Sequence, residues 1–210
     1  MEISLKNIDE LNKKDVVVRV DLNLPITKKT ISDKSRISII KPTIKKLIEQ
    51  KNKIFLLSHF GRPQGHKDKN YSLNFLCPVL AKEFAVTKIH FLSSFKSKEI
   101  QKTLIKMNPG EICLFENIRF YPEEEKNDLN FFKALSKNFD AYINDAFSAS
   151  HRNHGSIVSL PNFLPSFAGY GLIEEVQKIN SFLNNPSKPK LAIIGGSKIS
   201  SKINLINNLL

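Results

Sequence analysis

Six short, nearly unbroken apolar runs, separated by stretches of helical periodicity, constrain this chain more than any other feature. They are VVVRV (Val16 to Val20), IFLLS (Ile54 to Ser58), KIHFL (Lys88 to Leu92), ICLF (Ile112 to Phe115), AYIN (Ala141 to Asn144) and LAIIG (Leu191 to Gly195). A strand covered on both faces has this composition, whereas a strand with one face in water alternates. Amphipathic stretches lie between them: Ile39 to Gln50, Leu73 to Phe84, Ser97 to Met107, Asp128 to Phe139 and Ala168 to Leu183. The alternation predicts the α/β class, an open parallel six-stranded sheet with helices on both faces and right-handed crossovers. With 210 residues and 41% hydrophobic content the chain can bury a core, which excludes disordered and fibrous classes.

No run approaches the roughly 20 apolar residues of a membrane span. The charged opening MEISLKNIDELNKKD lacks the apolar centre of a signal peptide, so a cytoplasmic protein with no membrane partner is expected. Cys77 and Cys113 have no zinc-like spacing; both read as buried thiols, and no metal site is expected in the chain.

The formal charge of +12 favours anionic partners. No recognition motif or aromatic-interleaved basic stripe accompanies it, so nucleic acid is not expected as a partner beyond weak, salt-dependent association. The arginines are more telling. Of 32 basic residues only five are arginine: Arg19, Arg36, Arg62, Arg119 and Arg152. Only a guanidinium offers a planar fork to a carboxylate or phosphate. In open α/β sheets ligands bind beyond the carboxyl ends of the strands, and all five arginines fall at or beyond that edge. His59, His151 and His154 fall there too. Asp21 and Asn23 alternate along an extended strand end, so they share a side and can hold a hydroxyl or orient an arginine. The expectation is a pocket converging on a small, highly charged anion, and a phosphoryl-transfer site is one reading among several.

Other groups read as ordinary. His66 is expected at the surface and His90 in the core. The run Glu123-Glu124-Glu125 reads as a solvated face leading a helix. Gly195-Gly196-Ser197-Lys198 lacks the spacing of a Walker loop and is weak alone.

The segments VVVRVDLNLP, SDKSRI, SHFGRP, LFENIRF, NDAFSASHRNHGS and IIGGSKISSKI closely resemble the phosphoglycerate kinase family, in its order and spacing, over the whole chain. The resemblance implies reversible phosphoryl transfer between ATP and the carboxylate of 3-phosphoglycerate, giving ADP and 1,3-bisphosphoglycerate, with magnesium on the nucleotide, in a normally monomeric enzyme. Residue by residue, it implies that Asp21 and Asn23 contact the substrate and that Arg36 binds its carboxylate and stabilises the phosphoryl group in flight. His59, Arg62, Arg119 and Arg152 would grip the phosphate end, with Arg19, His151 and His154 completing the basic patch. Lys198, paired with Arg36 in catalysis, and Lys202 would meet the nucleotide phosphates. Asn153 and Gly155 stand where alanine is usual, a departure expected to matter little.

Against the family pattern, residues 1–167 resemble the 3-phosphoglycerate-binding lobe, 168–185 the interlobe helix, and 186–210 the first strand and helix of an incomplete nucleotide lobe. The last helical pattern carries an apolar stripe, Ile199, Ile203, Ile206 and Leu210, without a partner in the sequence. The expectation is a truncated kinase that binds 3-phosphoglycerate weakly and turns over little alone. The alternative is a non-catalytic anion-binding or interaction fragment completed by a separate second lobe.

Overall fold

The computed structural model describes residues 6–27 and 30–184. Met1–Gln177 forms one compact unit and Lys178–Leu210 a second, of which the described residues, 178–184, are helical.

In chain order the elements are β1 (Asp15–Val20), a two-residue hairpin of β2 (Ile26–Thr27) and β3 (Thr30–Ile31), α1 (Ser35–Glu49), β4 (Lys53–Leu57) and α2 (Cys77–Phe84). There follow β5 (His90–Leu92), α3 (Ser97–Lys106), β6 (Ile112–Phe115), the single turn α4 (Pro122–Glu125), α5 (Leu129–Ser136), β7 (Ala141–Asp145), β8 (Ser166–Ala168) and α6 (Tyr170–Asn184). Six strands make one parallel sheet in the order β5-β6-β4-β1-β7-β8. The chain leaves β1 towards β4 on one side and returns later to β7 on the other. The loops after β1, β4 and β7 therefore diverge around a crevice at the carboxyl ends, where such sheets bind ligands.

The apolar runs are continuous because both faces are buried. Val16, Val18, Ile54, Leu56, Ile112 and Leu114 pack with Ile37, Ile40, Ile44 and Leu47 of α1 and Leu80 and Phe84 of α2. Val17, Phe55, Leu57, Cys113 and Phe115 point the opposite way, against Ile100 and Leu104 of α3 and Phe132 and Leu135 of α5. Alternate residues of one strand thus feed two cores.

Five of the six expected strands are present. The sixth, Leu191 to Gly195, lies outside the described residues, and β8 fills the last place in the sheet. Its three residues between Pro165 and Gly169 are too few to show a period, and its pairing to Tyr142, Ile143 and Asn144 is what makes it a strand. Helix α1 begins four residues before Ile39, because Asp33 accepts from the Ser35 amide at 2.7 Å and starts the turn. Helix α2 begins at Cys77 rather than Leu73: Asn74–Leu76 is a 3₁₀ turn, and Pro78 suits only a helix's first turn. Cys77 is half-buried, not buried, and His90 lies at the outer strand paired with Glu111 at 2.9 Å rather than in the core.

Gly155 matters more than its sequence context suggests. A Cβ there would lie 1.9 Å from Cε2 of Phe132, in the core beneath α5. Gly155→Ala is therefore expected to cost about 1–3 kcal/mol by overpacking, read from urea denaturation. Combined with Phe132→Leu the cost should fall below the sum of the two single changes. Additive costs would show that the ring does not block the site.

Candidate anion-binding site

Arg19 is the penultimate residue of β1, and its side chain is 1% exposed. Its Nε donates to Ser156 Oγ at 2.8 Å, Nη1 to the Val20 carbonyl, and Nη2 to His59 Nδ1 at 3.1 Å. A guanidinium can only donate, so Nδ1 of His59 accepts and the ring proton sits on Nε2. Burial, then the positive charges of Arg19, Arg119 and Arg152, push the His59 pKa down to about 2 against the opposing pull of Asp21. His59 is thus a neutral imidazole with a single donor.

The loops carrying these groups are tied across the strand ends. Ser58 Oγ accepts from the Leu22 amide at 2.9 Å, and the Ser58 carbonyl from the Ile118 amide at 3.1 Å. Asn23 Oδ1 accepts from the Gly61 amide at 2.9 Å, and Arg119 Nη1 donates to the Gly61 carbonyl at 2.7 Å. Gly61 has φ +60°, and a Cβ there would lie 2.4 Å from the Tyr71 ring, so glycine alone fits this turn. Asn117 Nδ2 donates to the Phe60 and Tyr71 carbonyls, which fixes the turn that presents Arg119. Arg119 is buried, and burial and the nearby Arg152 and Arg19 lower its pKa, with Glu125 and Glu124 opposing. Arg152 and His154 are half-buried; burial, Arg119 and Arg152 depress His154 despite the carboxylates of Glu124 and Glu125. Arg19, Arg119, Arg152, His59 and His154 therefore share one electrostatic neighbourhood.

Arg36, in the first turn of α1, stands apart from that cluster and pairs with Asp21. Asp21 also accepts from the Ser148 hydroxyl and, at 3.0 Å, from the Asn23 amide. Burial raises the Asp21 pKa, but those hydrogen bonds, with the nearby Arg36, outweigh it and hold the carboxyl below its ordinary value. Asp21, Arg36, Ser148, Phe147 and Ile39 line a cleft of about 260 Å³. Asp21 joins this cleft to the basic cluster, since it faces Arg36 on one side and His59 on the other.

Asp145, the last residue of β7, anchors the far wall. Its Oδ1 accepts from the Leu172 amide at 2.9 Å, in the first turn of α6. A Cβ on Gly169 would lie 2.3 Å from its Cγ, and one on Gly171 2.9 Å from its Oδ1. Burial raises this carboxyl above its ordinary pKa.

Of the residues expected at the site, Arg19, Asp21, Asn23, Arg36, His59, Arg119, Arg152 and His154 come together directly or through these bonds. Arg62 and His151 are exposed on the same loops. Lys198 and Lys202 lie outside the described residues. Asn23 spends its side-chain oxygen on the Gly61 turn, and Arg19 is a buried support rather than a rim group. The run Glu123-Glu124-Glu125 is not a solvated face: Glu124 is 0% exposed and accepts from both the amide and hydroxyl of Ser156, at 2.8 and 2.7 Å. Three consecutive residues on one helical turn fan through about 100° each, so they cannot all share one solvated face. That geometry was the available signal. Ser58, Asn117, Ser148 and Ser156 were also missed, because single small polar residues in loops carry no spacing.

Below about pH 6.5 an unfolded chain protonates at His59 while the folded site does not. Unfolding free energy is expected to fall by about 1.4 kcal/mol per pH unit between pH 6.5 and 5, above the range where Asp21 is protonated. His154, also depressed, acts in the same direction. Urea midpoints against pH measure the slope, and His59→Asn should flatten it; an equal slope in that variant would show that His59 titrates normally.

The phosphoglycerate kinase family profile matches residues 5–210. The chain is 42% identical over 211 residues to a phosphoglycerate kinase of Borrelia garinii subsp. bavariensis, covering 99% of this chain and 53% of that protein. It is 41% identical over 210 residues to that of Sinorhizobium fredii, with 99% and 52% covered. The solved phosphoglycerate kinase of Coxiella burnetii superposes with a TM-score of 0.83 at 34% identity, over 98% of this chain and 52% of that one. The Pyrococcus horikoshii enzyme superposes with a TM-score of 0.86 at 25% identity over the same shares. The chain spans about half the length of the curated relatives it matches. By profile, sequence and fold, this chain belongs to the phosphoglycerate kinase family.

Proposed function

We propose that this chain binds 3-phosphoglycerate and serves the reversible transfer of a phosphoryl group between ATP and its carboxylate, in the cytoplasm. The observation that carries the reading is the separation of two positive centres: Arg19, Arg119 and Arg152 about a neutral His59, and Arg36 held by Asp21 across the cleft. A metabolite with a phosphate at one end and a carboxylate at the other complements that division. The phosphate meets the guanidiniums of Arg119 and Arg152 and the His59 Nε2–H, with Arg19 adding its charge from behind and Arg62, His151 and His154 contributing further positive charge or donors. Asp21 keeps Arg36 aimed, and with Asn23 it faces the substrate's middle. The three clustered guanidiniums repel one another when no anion lies between them, so a bound dianion relieves a strain already present.

In the ATP-consuming direction a carboxylate oxygen attacks the γ-phosphorus and the bond to the β-phosphate oxygen breaks, releasing ADP and leaving an acyl phosphate. Arg36 stabilises the charge on the moving group, and the family pattern assigns Lys198 and Lys202 to the nucleotide phosphates; such transfer needs positioning and electrostatics above all. Magnesium comes with the nucleotide. Among the described residues no group of three or more His, Cys, Asp or Glu could hold a metal ion, and no step assigned to those residues passes through one.

Calorimetric titration of the 210-residue chain tests the reading. Binding of 3-phosphoglycerate is expected to exceed that of glycerol 3-phosphate, which lacks the carboxylate. Arg36→Met should abolish the preference, costing about tenfold or more in affinity for 3-phosphoglycerate alone, the scale of one charge-assisted hydrogen bond. Equal binding of the two ligands by the unmodified chain, or none, would refute it.

A further inference from the structure

Glu124 is a fully buried carboxylate that touches the support of the basic cluster without standing among the residues proposed to meet substrate. It lies at the end of a continuous polar chain. Ser156 gives Glu124 both its donors, the amide to Oε2 at 2.8 Å and the hydroxyl to Oε1 at 2.7 Å. With its proton committed to Glu124, the Ser156 hydroxyl has its lone pairs left for Arg19 Nε, 2.8 Å away. Arg19 then donates to His59 Nδ1. His154 Nδ1 is 3.7 Å from the same carboxylate. Helix α4, a single turn opened by Pro122, exists to turn this side chain inward, and the Glu124 carbonyl accepts from the Gly155 amide at 2.8 Å, clamping the segment that carries Ser156.

We propose that Glu124 is a positioning residue: by taking the Ser156 hydroxyl proton it aims a Ser156 lone pair at Arg19 Nε, holds the guanidinium against Nδ1 of His59, and so maintains the tautomer that presents Nε2–H to a bound phosphate. The role of that donor rests on the 3-phosphoglycerate reading; the ordering of the chain does not. Glutamine at position 124 retains the shape but replaces one of two acceptors with an amide donor. It cannot accept from both the amide and hydroxyl of Ser156. If its amide donates to the Ser156 hydroxyl instead, the hydroxyl proton must turn away from position 124, the lone pair aimed at Arg19 Nε is no longer held there, and the guanidinium is not fixed against Nδ1.

The sign of the effect separates positioning from background charge. Removing a negative charge beside an anion site should, by Coulomb attraction alone, tighten anion binding. Loss of positioning weakens it. In Glu124→Gln, and independently in Ser156→Ala, which retains the carboxylate, the affinity for 3-phosphoglycerate is expected to drop about tenfold, the scale of one charge-assisted hydrogen bond. The double variant should lose little more than either single one.

The deciding measurement is the ¹⁵N spectrum of the His59 ring in the free 210-residue chain, assigned with His59→Asn. The unmodified protein should show an unprotonated Nδ1 and a protonated Nε2. Both variants should show mixed tautomers, while Glu125→Gln, which removes the neighbouring carboxylate, leaves the ring unchanged. If Glu124→Gln does not fold, Ser156→Ala carries the test. An unaltered His59 spectrum in both variants overturns the proposal whatever the affinities do. A changed spectrum in a chain that binds no 3-phosphoglycerate upholds the ordering and refutes only the substrate.

Discussion

A fully buried guanidinium at the end of the central strand is the constraint around which the site is built. Arg19 lies between β4 and β7, where taking a charge out of water costs several kcal/mol unless its donors are met. Among the described residues no carboxylate forms an ion pair with it. Its donors go to a hydroxyl, a carbonyl and an imidazole, all neutral, and the countercharge stands one residue further away on Glu124. This keeps the positive charge effective at the crevice, where a directly apposed carboxylate would have cancelled it. The same arrangement keeps His59 neutral, because a buried ring flanked by three guanidiniums cannot take up a second proton.

The second constraint is mutual. Loops after β1, β4, β6 and β7 are widely separated in sequence, yet each is tied to another. Ser58 ties the first to the third, Asn23 the first to the second, Asn117 and Arg119 the third to the second, and Ser148 the fourth to the first. Most of these bonds join a side chain to a backbone group, which fixes position without spending charge. Arg19 and Arg119 are thus steadied in part by polar residues, Ser156 and Asn117, that need not meet a ligand.

Much of this was legible in the sequence. Continuous apolar runs gave the parallel sheet, because residues such as Val17 and Val18 serve opposite cores and neither can be polar. The scarcity of arginine gave the site, because a lysine-rich chain has little reason to place a guanidinium except for its fork. What stayed hidden depended on distance in space rather than in sequence. Glu124 and Ser156 lie 32 positions apart, and nothing in PEEE distinguishes the inward carboxylate from its neighbours except the helical fan. β8 is a strand only because β7 leaves it an edge to pair with. Gly155 looked like a neutral departure because its packing against Phe132 is set by α5, a separate element.

Asp145 ends β7 and also secures the opening of α6, packed so closely against Gly169 and Gly171 that no side chain could intervene. One residue further along the chain begins the turn that carries Ser148 to Asp21. A single carboxyl group therefore serves as the common hinge pin of a helix and a ligand loop. A tilt in the first turn of that helix reaches the aim of Arg36 through four links: Leu172 to Asp145, the backbone from Asp145 to Ser148, Ser148 to Asp21, and Asp21 to Arg36.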